Sequence, residues 1–140
     1  MKIVILGCGR TGAALATSLA RKGHDVCIID NRSEAFARLG IDFRGRTVQG
    51  EGMDYEVLRQ ADIAAADAFV ACTNGDNRNL TASQIAREVF AVPKVVARVN
   101  DPLRGEIFAE LGLLTISPTT LGSDLIYNAI LSGSPVSLLC

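Results

Sequence analysis

Three glycines spaced as G-x-G-x-x-G, Gly7, Gly9 and Gly12, form the first pattern in this sequence that indicates chemistry. An apolar segment at residues 2–6 precedes them, and a segment with helical periodicity at residues 11–22 follows. In this setting Gly7 permits a tight turn, Gly9 lets the backbone approach a pyrophosphate, and Gly12 lets the helix pack close to the strand. The pattern therefore predicts a loop that binds a nucleotide.

Polar groups that suit a nucleotide stand beside this loop. The first N–H groups of the helix would face phosphate oxygens, with Arg10 and Thr11 adding a cation and a hydroxyl at the same end. Asp30 ends the next apolar segment, where its carboxylate can accept hydrogen bonds from both ribose hydroxyls and would repel a 2′-phosphate. Arg32 could neutralise such a phosphate. On balance these residues favour NAD(H) or an adenine nucleotide over NADP.

Further polar residues follow three later segments that have the composition of strands. Glu51 could accept from an adenine amino group, and Gly52 beside it would give access to the backbone. Thr73 and Asn74 could meet a ribose or a phosphate, and Arg98 could pair with a distal phosphate. Because the carboxyl ends of parallel strands meet at one edge of a sheet, we expect all of them in the same crevice.

The thiols give little sign of metal or disulfide chemistry. The four cysteines, Cys8, Cys27, Cys72 and Cys140, form no C-x-x-C pair, and His24 is the only histidine, which argues against a zinc site. We expect free thiols that mostly pack in the core. Cys8 is a partial exception: packing is favoured for it too, but a helix N-terminus can lower the pKa of a thiol, which leaves a redox role as the alternative.

Composition excludes several other classes of protein. The net charge is −1 and the 14 basic residues form no run, which argues against a nucleic-acid-binding face. No apolar stretch reaches the ~18 residues of a membrane span, and the first residues do not have the pattern of a secretory signal. With 49% hydrophobic residues, the chain can bury the core of one domain. We therefore expect a cytoplasmic protein.

Alternating strand-like and helix-like segments position these residues. Strands are predicted at residues 2–6, 25–29, 47–50, 67–72, 94–99 and 113–117, and helices at 11–22, 33–39, 53–62, 77–91, 101–112 and 119–131. Ser33 is predicted to cap the second helix and Gly40 to end it, while Asp101 and Pro102 begin the fifth. The repeated strand–helix unit predicts an α/β single domain with a doubly wound, parallel, six-stranded Rossmann-like sheet.

Two of these helices have apolar faces with different expected roles. In the helix at 77–91, the residues predicted to face the core are Leu80, Ile85, Val89 and Phe90. In the helix at 119–131, one face carries Leu121, Leu125, Ile126, Ala129 and Ile130, which could pack on the chain's own sheet or against a partner.

Several blocks of the sequence together resemble the N-terminal nucleotide-binding domain of Trk/Ktr potassium-uptake regulators, the RCK or KTN domain. The blocks are GCGRTG (7–12), IIDNRSEAFARL (28–39), GEGMDYEVLRQADI (50–63), DAFVACTNGDNRNL (67–80), PKVVARVNDP (93–102) and ELGLLTISPTTL (110–121). The combination of ARVNDP with ISPT sets this family apart from most dehydrogenases. The resemblance divides the chain into a nucleotide-binding domain at 1–131 and a C-terminal tail or truncated linker at 132–140.

The resemblance implies a regulatory domain rather than an enzyme. Such a domain binds NAD(H) or an adenine nucleotide (ATP, ADP or AMP) as a homodimer or higher ring at the inner face of the cell membrane, and it controls an integral-membrane potassium transporter or channel. By this resemblance the phosphates are held by the glycine loop, Gly7, Cys8, Gly9, Arg10 and Thr11, with Gly12 behind it. Asp30 would bind the ribose, and Glu51 and Gly52 would lie beside the adenine. Thr73 and Asn74 line the crevice, and Arg98 reaches the distal phosphate or linker.

Three positions depart from the family pattern. The family usually has Asp where Glu51 stands and often Ala where Gly52 stands, and some members have a Glu at the position of Thr119. That Glu helps to hold a cation at a triphosphate, so Thr119 puts cation-assisted ATP binding in doubt. In the family the last helix crosses to the partner subunit.

Two other functions compete with a nucleotide sensor. An NAD-dependent oxidoreductase, or the cofactor-binding half of one, needs a substrate beside the nicotinamide and a proton donor or acceptor. His24 falls in the turn before the second strand, away from the predicted crevice, and no acid–base pair is evident there. A thiol-based redox sensor would use Cys8 with NAD(H). The sequence therefore favours sensing over catalysis.

Overall fold

Six parallel strands form one sheet in the computed structural model, which describes residues 1–133. The strands are β1 (Lys2–Leu6), β2 (Asp25–Asp30), β3 (Arg46–Gln49), β4 (Ala68–Ala71), β5 (Lys94–Arg98) and β6 (Leu114–Ile116). Their order across the sheet is β3-β2-β1-β4-β5-β6, and each neighbouring pair is parallel. The connection changes direction between β1 and β4, which is where open α/β sheets bind ligands. The predicted fold class is confirmed.

Helices connect the strands at both faces of the sheet. The α-helices are α1 (Arg10–Arg21), α2 (Tyr55–Gln60), α3 (Asp76–Gln84), α4 (Pro102–Glu110) and α5 (Pro118–Ser132). Two 3₁₀ helices cover Ser33–Leu39 and Ile63–Ala65, and a π-helical turn, Ile85–Val89, continues α3. Asp54 caps α2 and Asp101 caps α4, each by accepting a backbone N–H two residues further on.

Two buried apolar layers hold the helices against the sheet. Ile3 and Ile5 of β1 face a layer that contains the inner residues of α1. Val4 and Leu6 of the same strand face the opposite layer, which contains residues of α2 and α3. Strands that are covered on both faces have nearly continuous apolar sequences, which explains the composition of β1 and β2.

The predicted cap at Ser33 is wrong. Arg32 is the residue that precedes the 3₁₀ helix, and the Ser33 hydroxyl donates to the Glu34 carboxylate (3.4 Å) instead of accepting a backbone N–H. The physical reason is that the Asp30 carboxylate already accepts the Arg32 N–H (2.9 Å) and so begins the turn earlier. Gly40 does end this helix, with φ = 78°.

The predicted burial of Val89 is also wrong, since this side chain is 49% exposed. A π-helical turn has more residues per turn than an α-helix, so the periodicity that predicted Val89 inside no longer applies after Gln84. Leu80, Ile85 and Phe90 do pack against the core.

Helix α5 does not pack on the sheet of its own chain, although the sequence left that arrangement open. No residue of α5 is buried, and Leu121, Ile126 and Ile130 are 47%, 64% and 75% exposed. Within residues 1–133, no helix combines the length and apolar character that a membrane span requires. Most of the predicted C-terminal tail, residues 134–140, lies outside the described residues.

Candidate functional site

A crevice of about 330 Å³ opens at the carboxyl ends of β1, β2 and β4. Eight of the residues predicted from the sequence line it, namely Gly7, Cys8, Gly9, Asp30, Glu51, Gly52, Thr73 and Asn74. They come from four separate segments, and the parallel register of the central strands brings their ends together. The fold therefore assembles most of the predicted site into one concave surface.

The glycine loop has the geometry of a phosphate-binding turn. Gly7 has φ = 104°, and a Cβ at this position would lie 2.8 Å from the Cys72 carbonyl oxygen. A Cβ on Gly12 would collide with the Gly7 carbonyl oxygen, whereas a Cβ on Gly9 would meet no atom within 4 Å. Two glycines are thus required by the fold, and the third faces open space that a ligand can occupy.

The N-terminus of α1 faces this loop with no side-chain cap. Gly9 is the residue before the helix, and within residues 1–133 no side-chain cap accepts a hydrogen bond at this end of the helix. Such N–H groups, together with the positive end of the helix dipole, favour an anionic ligand.

The Asp30 carboxylate is held across the crevice from α1. One of its oxygens accepts the N–H of Cys8 (2.8 Å), and the other accepts the N–H of Arg32 (2.9 Å). Each carboxylate oxygen can accept a second hydrogen bond. The two backbone contacts therefore orient the side chain while leaving it able to accept from hydroxyl groups of a ligand.

Glu51 and Gly52 form the wall beside β3. Glu51 is exposed, and its Oε1 accepts a hydrogen bond from Nδ2 of Asn31 (3.0 Å). Gly52 is buried, and a Cβ there would collide with the Leu6 side chain. The Leu6 side chain thus occupies the space that a Cβ at position 52 would need.

The wall beside β4 depends on a buried amide. Asn79 of α3 is completely buried, and its Oδ1 accepts both the backbone N–H (3.0 Å) and the hydroxyl (2.6 Å) of Thr73. Its Nδ2 donates to the carbonyl oxygens of Thr73 (3.0 Å) and Arg98 (2.9 Å). One side chain therefore ties the loop after β4 to the end of β5.

A second network joins the same two loops at the surface. Asp76 accepts the backbone N–H of Asn100 (2.7 Å) with one carboxylate oxygen and that of Asp101 (2.9 Å) with the other. Asn100 also donates to the Asn74 carbonyl oxygen (3.1 Å). Partial burial opposes ionisation of Asp76, but the hydrogen bonds from Asn100 and Asp101 outweigh it and lower the pKa of this carboxyl.

Four predicted site residues do not line the crevice. Gly12 lies buried below the loop, and Thr11 is exposed on α1. Arg10 lines a separate groove along the outer side of α1. Arg98 donates from Nε to Oδ1 of Asn100 (3.1 Å). Contact of these four residues with a nucleotide remains a prediction.

Two cationic residues that the sequence reasoning missed line the crevice. Arg38, from the 3₁₀ helix Ser33–Leu39, donates to the Cys8 carbonyl oxygen (3.3 Å), and Arg78 comes from the first turn of α3. Both belong to helices that begin at the carboxyl edge of the sheet. That position is the only signal in the sequence that could have identified them.

Cys8 does not have the environment predicted for a reactive thiol. Burial and the Asp30 carboxylate raise the pKa of Cys8 above its ordinary value, against an opposing effect of Arg38. Its Sγ donates to the Ala35 carbonyl oxygen (3.3 Å). Cys8, Cys27 and Cys72 are free and buried, and Cys140 lies outside the described residues. Cys8 therefore packs in the core, as expected for most of the thiols, and its raised pKa disfavours the alternative of a redox role.

Residues 1–133 contain no metal-binding cluster, and the histidine lies away from this crevice. In that range no cluster of three His, Cys, Asp or Glu residues could hold a metal ion. His24 precedes β2, at the opposite edge of the sheet, with its Nδ1 3.1 Å from the amino terminus of Met1. The predicted position of His24 away from the crevice is confirmed.

Comparison with known sequences identifies a domain family. Residues 3–118 match the TrkA-N domain. The Trk system potassium uptake protein TrkA of Streptomyces coelicolor is 45% identical over 131 residues, which cover 94% of this chain and 59% of that protein. The TrkA homolog of Methanothermobacter thermautotrophicus is 38% identical over 113 residues, covering 81% of this chain and 52% of the homolog. The chain thus spans little more than half the length of these relatives.

Solved structures with the same fold contain nucleotides. The GsuK channel bound to NAD is 26% identical and superposes with a TM-score of 0.81 over 94% of this chain and 23% of that channel chain. GsuK bound to ADP is 25% identical, with a TM-score of 0.80 over 95% of this chain and 34% of that chain.

Proposed function

Because the chain belongs to the TrkA-N domain family, we propose that it is a nucleotide-sensing regulatory domain of a potassium uptake system. The observation that carries this proposal is the Asp30 carboxylate, fixed by the Cys8 and Arg32 N–H groups opposite the uncapped N-terminus of α1. A ribose hydroxyl acceptor and a phosphate site thus face each other across one crevice. A nucleotide has both of the complementary groups, ribose hydroxyls that donate and phosphate oxygens that accept.

The ligand class is NAD(H) or an adenine nucleotide such as ATP, ADP or AMP. These molecules share the adenosine and phosphate groups that the glycine loop and Asp30 would bind. The carboxylate disfavours a 2′-phosphate, and the side chain of Arg32 is 72% exposed and pairs with Glu34 (3.5 Å). The NAD and ADP complexes of GsuK support this class of ligand.

Thermal denaturation of the purified chain with NAD, NADH, NADPH, ATP, ADP and AMP tests the proposal. A ligand that binds only the native state raises the midpoint temperature by mass action. At a concentration of 100 times its Kd, it adds about 2.7 kcal/mol to the free energy of unfolding. We expect the shift to disappear in Asp30→Ala and to persist in Asp42→Ala, which removes an exposed carboxylate away from the crevice. No shift with any of the six nucleotides in the parent chain would refute the proposal.

Sensing is favoured over catalysis by the placement of the ionisable groups. The crevice carboxylates, Asp30 and Glu51, already accept hydrogen bonds from Cys8, Arg32 and Asn31, and His24 lies at the other edge of the sheet. We therefore expect NAD to be recovered unchanged after prolonged incubation with the chain. Turnover of NAD with a small-molecule donor would instead support the oxidoreductase alternative.

The proposed assembly is a homodimer, alone or within a higher ring, that contacts an integral-membrane potassium transporter or channel at the inner face of the membrane. The exposed apolar residues of α5 support a protein partner, because a helix with this much uncovered apolar surface gains free energy by burying it. The domain would occupy residues 1–131, with 132–140 as a tail or truncated linker.

A further inference from the structure

Both hydrogen-bond donors of Thr73 are engaged within the protein. Its backbone N–H and its hydroxyl both donate to Oδ1 of Asn79, at 3.0 and 2.6 Å. The same hydroxyl oxygen accepts the Gly75 N–H (3.2 Å), and the Gly75 carbonyl oxygen lies 3.3 Å away as a second, longer acceptor for its hydrogen. A threonine hydroxyl has one hydrogen and two lone pairs, so Thr73 retains a lone pair but no hydrogen for a ligand.

The orientation of the Asn79 amide is fixed by its other partners. Its Nδ2 has two hydrogens, and they point to the carbonyl oxygens of Thr73 (3.0 Å) and Arg98 (2.9 Å). Reversing the amide would place Oδ1 against those two carbonyl oxygens. Because Asn79 is completely buried, no water could compensate for that arrangement.

We propose that Asn79 is a specificity-determining residue that makes Thr73 a hydrogen-bond acceptor, so that Thr73 recognises a ribose hydroxyl rather than a phosphate oxygen. This inference rests on the nucleotide site proposed above. A ribose hydroxyl can donate to the remaining lone pair of Thr73, whereas a phosphate oxygen only accepts and finds no donor on this residue.

The position of Thr73 indicates which ribose it meets. Asp30, at the end of β2, takes the adenosine ribose, and the pyrophosphate lies at the N-terminus of α1 between them. Thr73 follows β4, on the other side of the switch point, where a dinucleotide places its second ribose and ADP ends in a phosphate. Asn74 and Arg78, which also line the crevice, serve the pyrophosphate that both ligands share.

Isothermal titration of the chain with ADP-ribose, NAD and ADP tests the inference. ADP-ribose differs from ADP by the second ribose, so the ratio of their dissociation constants isolates that group. Asn79→Ala releases the backbone N–H of Thr73 as a donor, while the Thr73 hydroxyl keeps the Gly75 carbonyl oxygen as its acceptor. We expect the ratio to move toward ADP by about tenfold, which corresponds to one hydrogen bond.

Three further variants separate this effect from a general weakening of the fold. Asn79→Asp keeps an oxygen that accepts from Thr73, and its second oxygen, when protonated, can donate to one of the two carbonyl oxygens, so the variant should keep the ratio of the parent chain even as its stability falls. Ser83→Ala changes another completely buried residue of α3 and should leave the ratio unchanged. Thr73→Val removes the acceptor and should weaken ADP-ribose and NAD binding about tenfold relative to ADP binding.

The outcomes are distinguishable from failure of the proposed function. If the parent chain binds none of the three ligands, the nucleotide site itself is refuted. If the parent chain binds them and Asn79→Ala weakens all three equally, Asn79 has only a structural role and the inference is overturned. Should Asn79→Ala fail to fold, an unchanged ratio in Thr73→Val would overturn it instead.

Discussion

The three glycines of the loop differ in what surrounds them. A Cβ on Gly7 or Gly12 would collide with a backbone oxygen of the protein, whereas a Cβ on Gly9 would enter open space that a ligand can occupy. The spacing G-x-G-x-x-G predicted the loop because each glycine has a backbone reason that the sequence alone can express. The arginines could not be predicted in the same way. The direction of Arg38 and Arg78 depends on where a 3₁₀ helix and α3 come to lie relative to β1, and the sequence pattern does not contain that information.

Gly12→Ala should lower the stability of the fold, whereas Gly9→Ala should lower the affinity for a nucleotide. The new Cβ at position 12 collides with the Gly7 carbonyl oxygen, so we expect a loss of about 1–3 kcal/mol in the free energy of unfolding. At position 9 the Cβ meets no protein atom, so stability should change by less than about 0.5 kcal/mol while nucleotide affinity falls. Urea denaturation and ADP titration of both variants measure these effects. Equal destabilisation would contradict the interpretation.

Ser83→Ala should not destabilise the protein. The Ser83 hydroxyl is buried and has no hydrogen-bond partner within residues 1–133, and a buried unpaired hydroxyl costs free energy. We expect a gain of up to about 1 kcal/mol in the free energy of unfolding, measured in urea. Loss of more than about 0.5 kcal/mol would mean that the hydroxyl has a partner, such as a buried water.

Elements were predictable where they are apolar and regular, and less so at their ends. All six strands were found within one or two residues, because a buried parallel strand is a short apolar run. The cap at Ser33 and the burial of Val89 failed for local reasons. A carboxylate from β2 starts the 3₁₀ turn, and a π-helical turn alters the periodicity after α3.

The first residue of α3 should give the domain a pH-dependent stability. Because the pKa of Asp76 is lower in the folded state than its ordinary value of 3.8, its ionised form stabilises the fold above that value. This stabilisation is lost as the pH falls below about 4 and through the folded-state pKa. In Asp76→Asn the backbone N–H groups of Asn100 and Asp101 can no longer both be accepted by carboxylate oxygens, so stability at pH 7 should fall by on the order of 1 kcal/mol.

Urea denaturation of the parent chain and Asp76→Asn at pH 7 and pH 3 checks this effect. The difference between the two proteins should be largest at pH 7 and should shrink at pH 3, where the parent carboxyl begins to protonate. A difference that stays constant between these values would show that ionisation of Asp76 is not involved.

At the scale of the whole molecule, apolar side chains are buried around the central strands but stay exposed near the C-terminal end of the sheet. The layers on either side of β1 and β2 are closed, whereas α5 and the outer residues of α4 and β6, such as Leu103 and Leu114, leave apolar side chains exposed. The sequence showed that the last helix has an apolar face. It could not show whether the same chain covers that face, because this depends on the direction that α5 takes after the end of β6.

Ile126→Asp should weaken the proposed homodimer without weakening the fold. The Ile126 side chain is 64% exposed in the single chain, so a charge there costs little unless a partner covers it. Burial of an isoleucine contributes about 1.5–3 kcal/mol, so the dimer dissociation constant should rise at least tenfold. Sedimentation velocity measures the change, with the exposed Asn128→Asp as a control of the same charge on the same helix. A parent chain that sediments as a monomer at high concentration would refute the dimer.

The strand order also sets the timing of folding during synthesis. β1 leaves the ribosome first, yet one of its two neighbours is β4, and Ile3 pairs with Ala68, which is translated 65 residues later. At about 5–20 residues per second, one edge of β1 waits roughly 3–13 s for its partner. During that interval the nascent chain has an unpaired apolar strand edge, which is the kind of surface that chaperones bind and that aggregates when they are scarce.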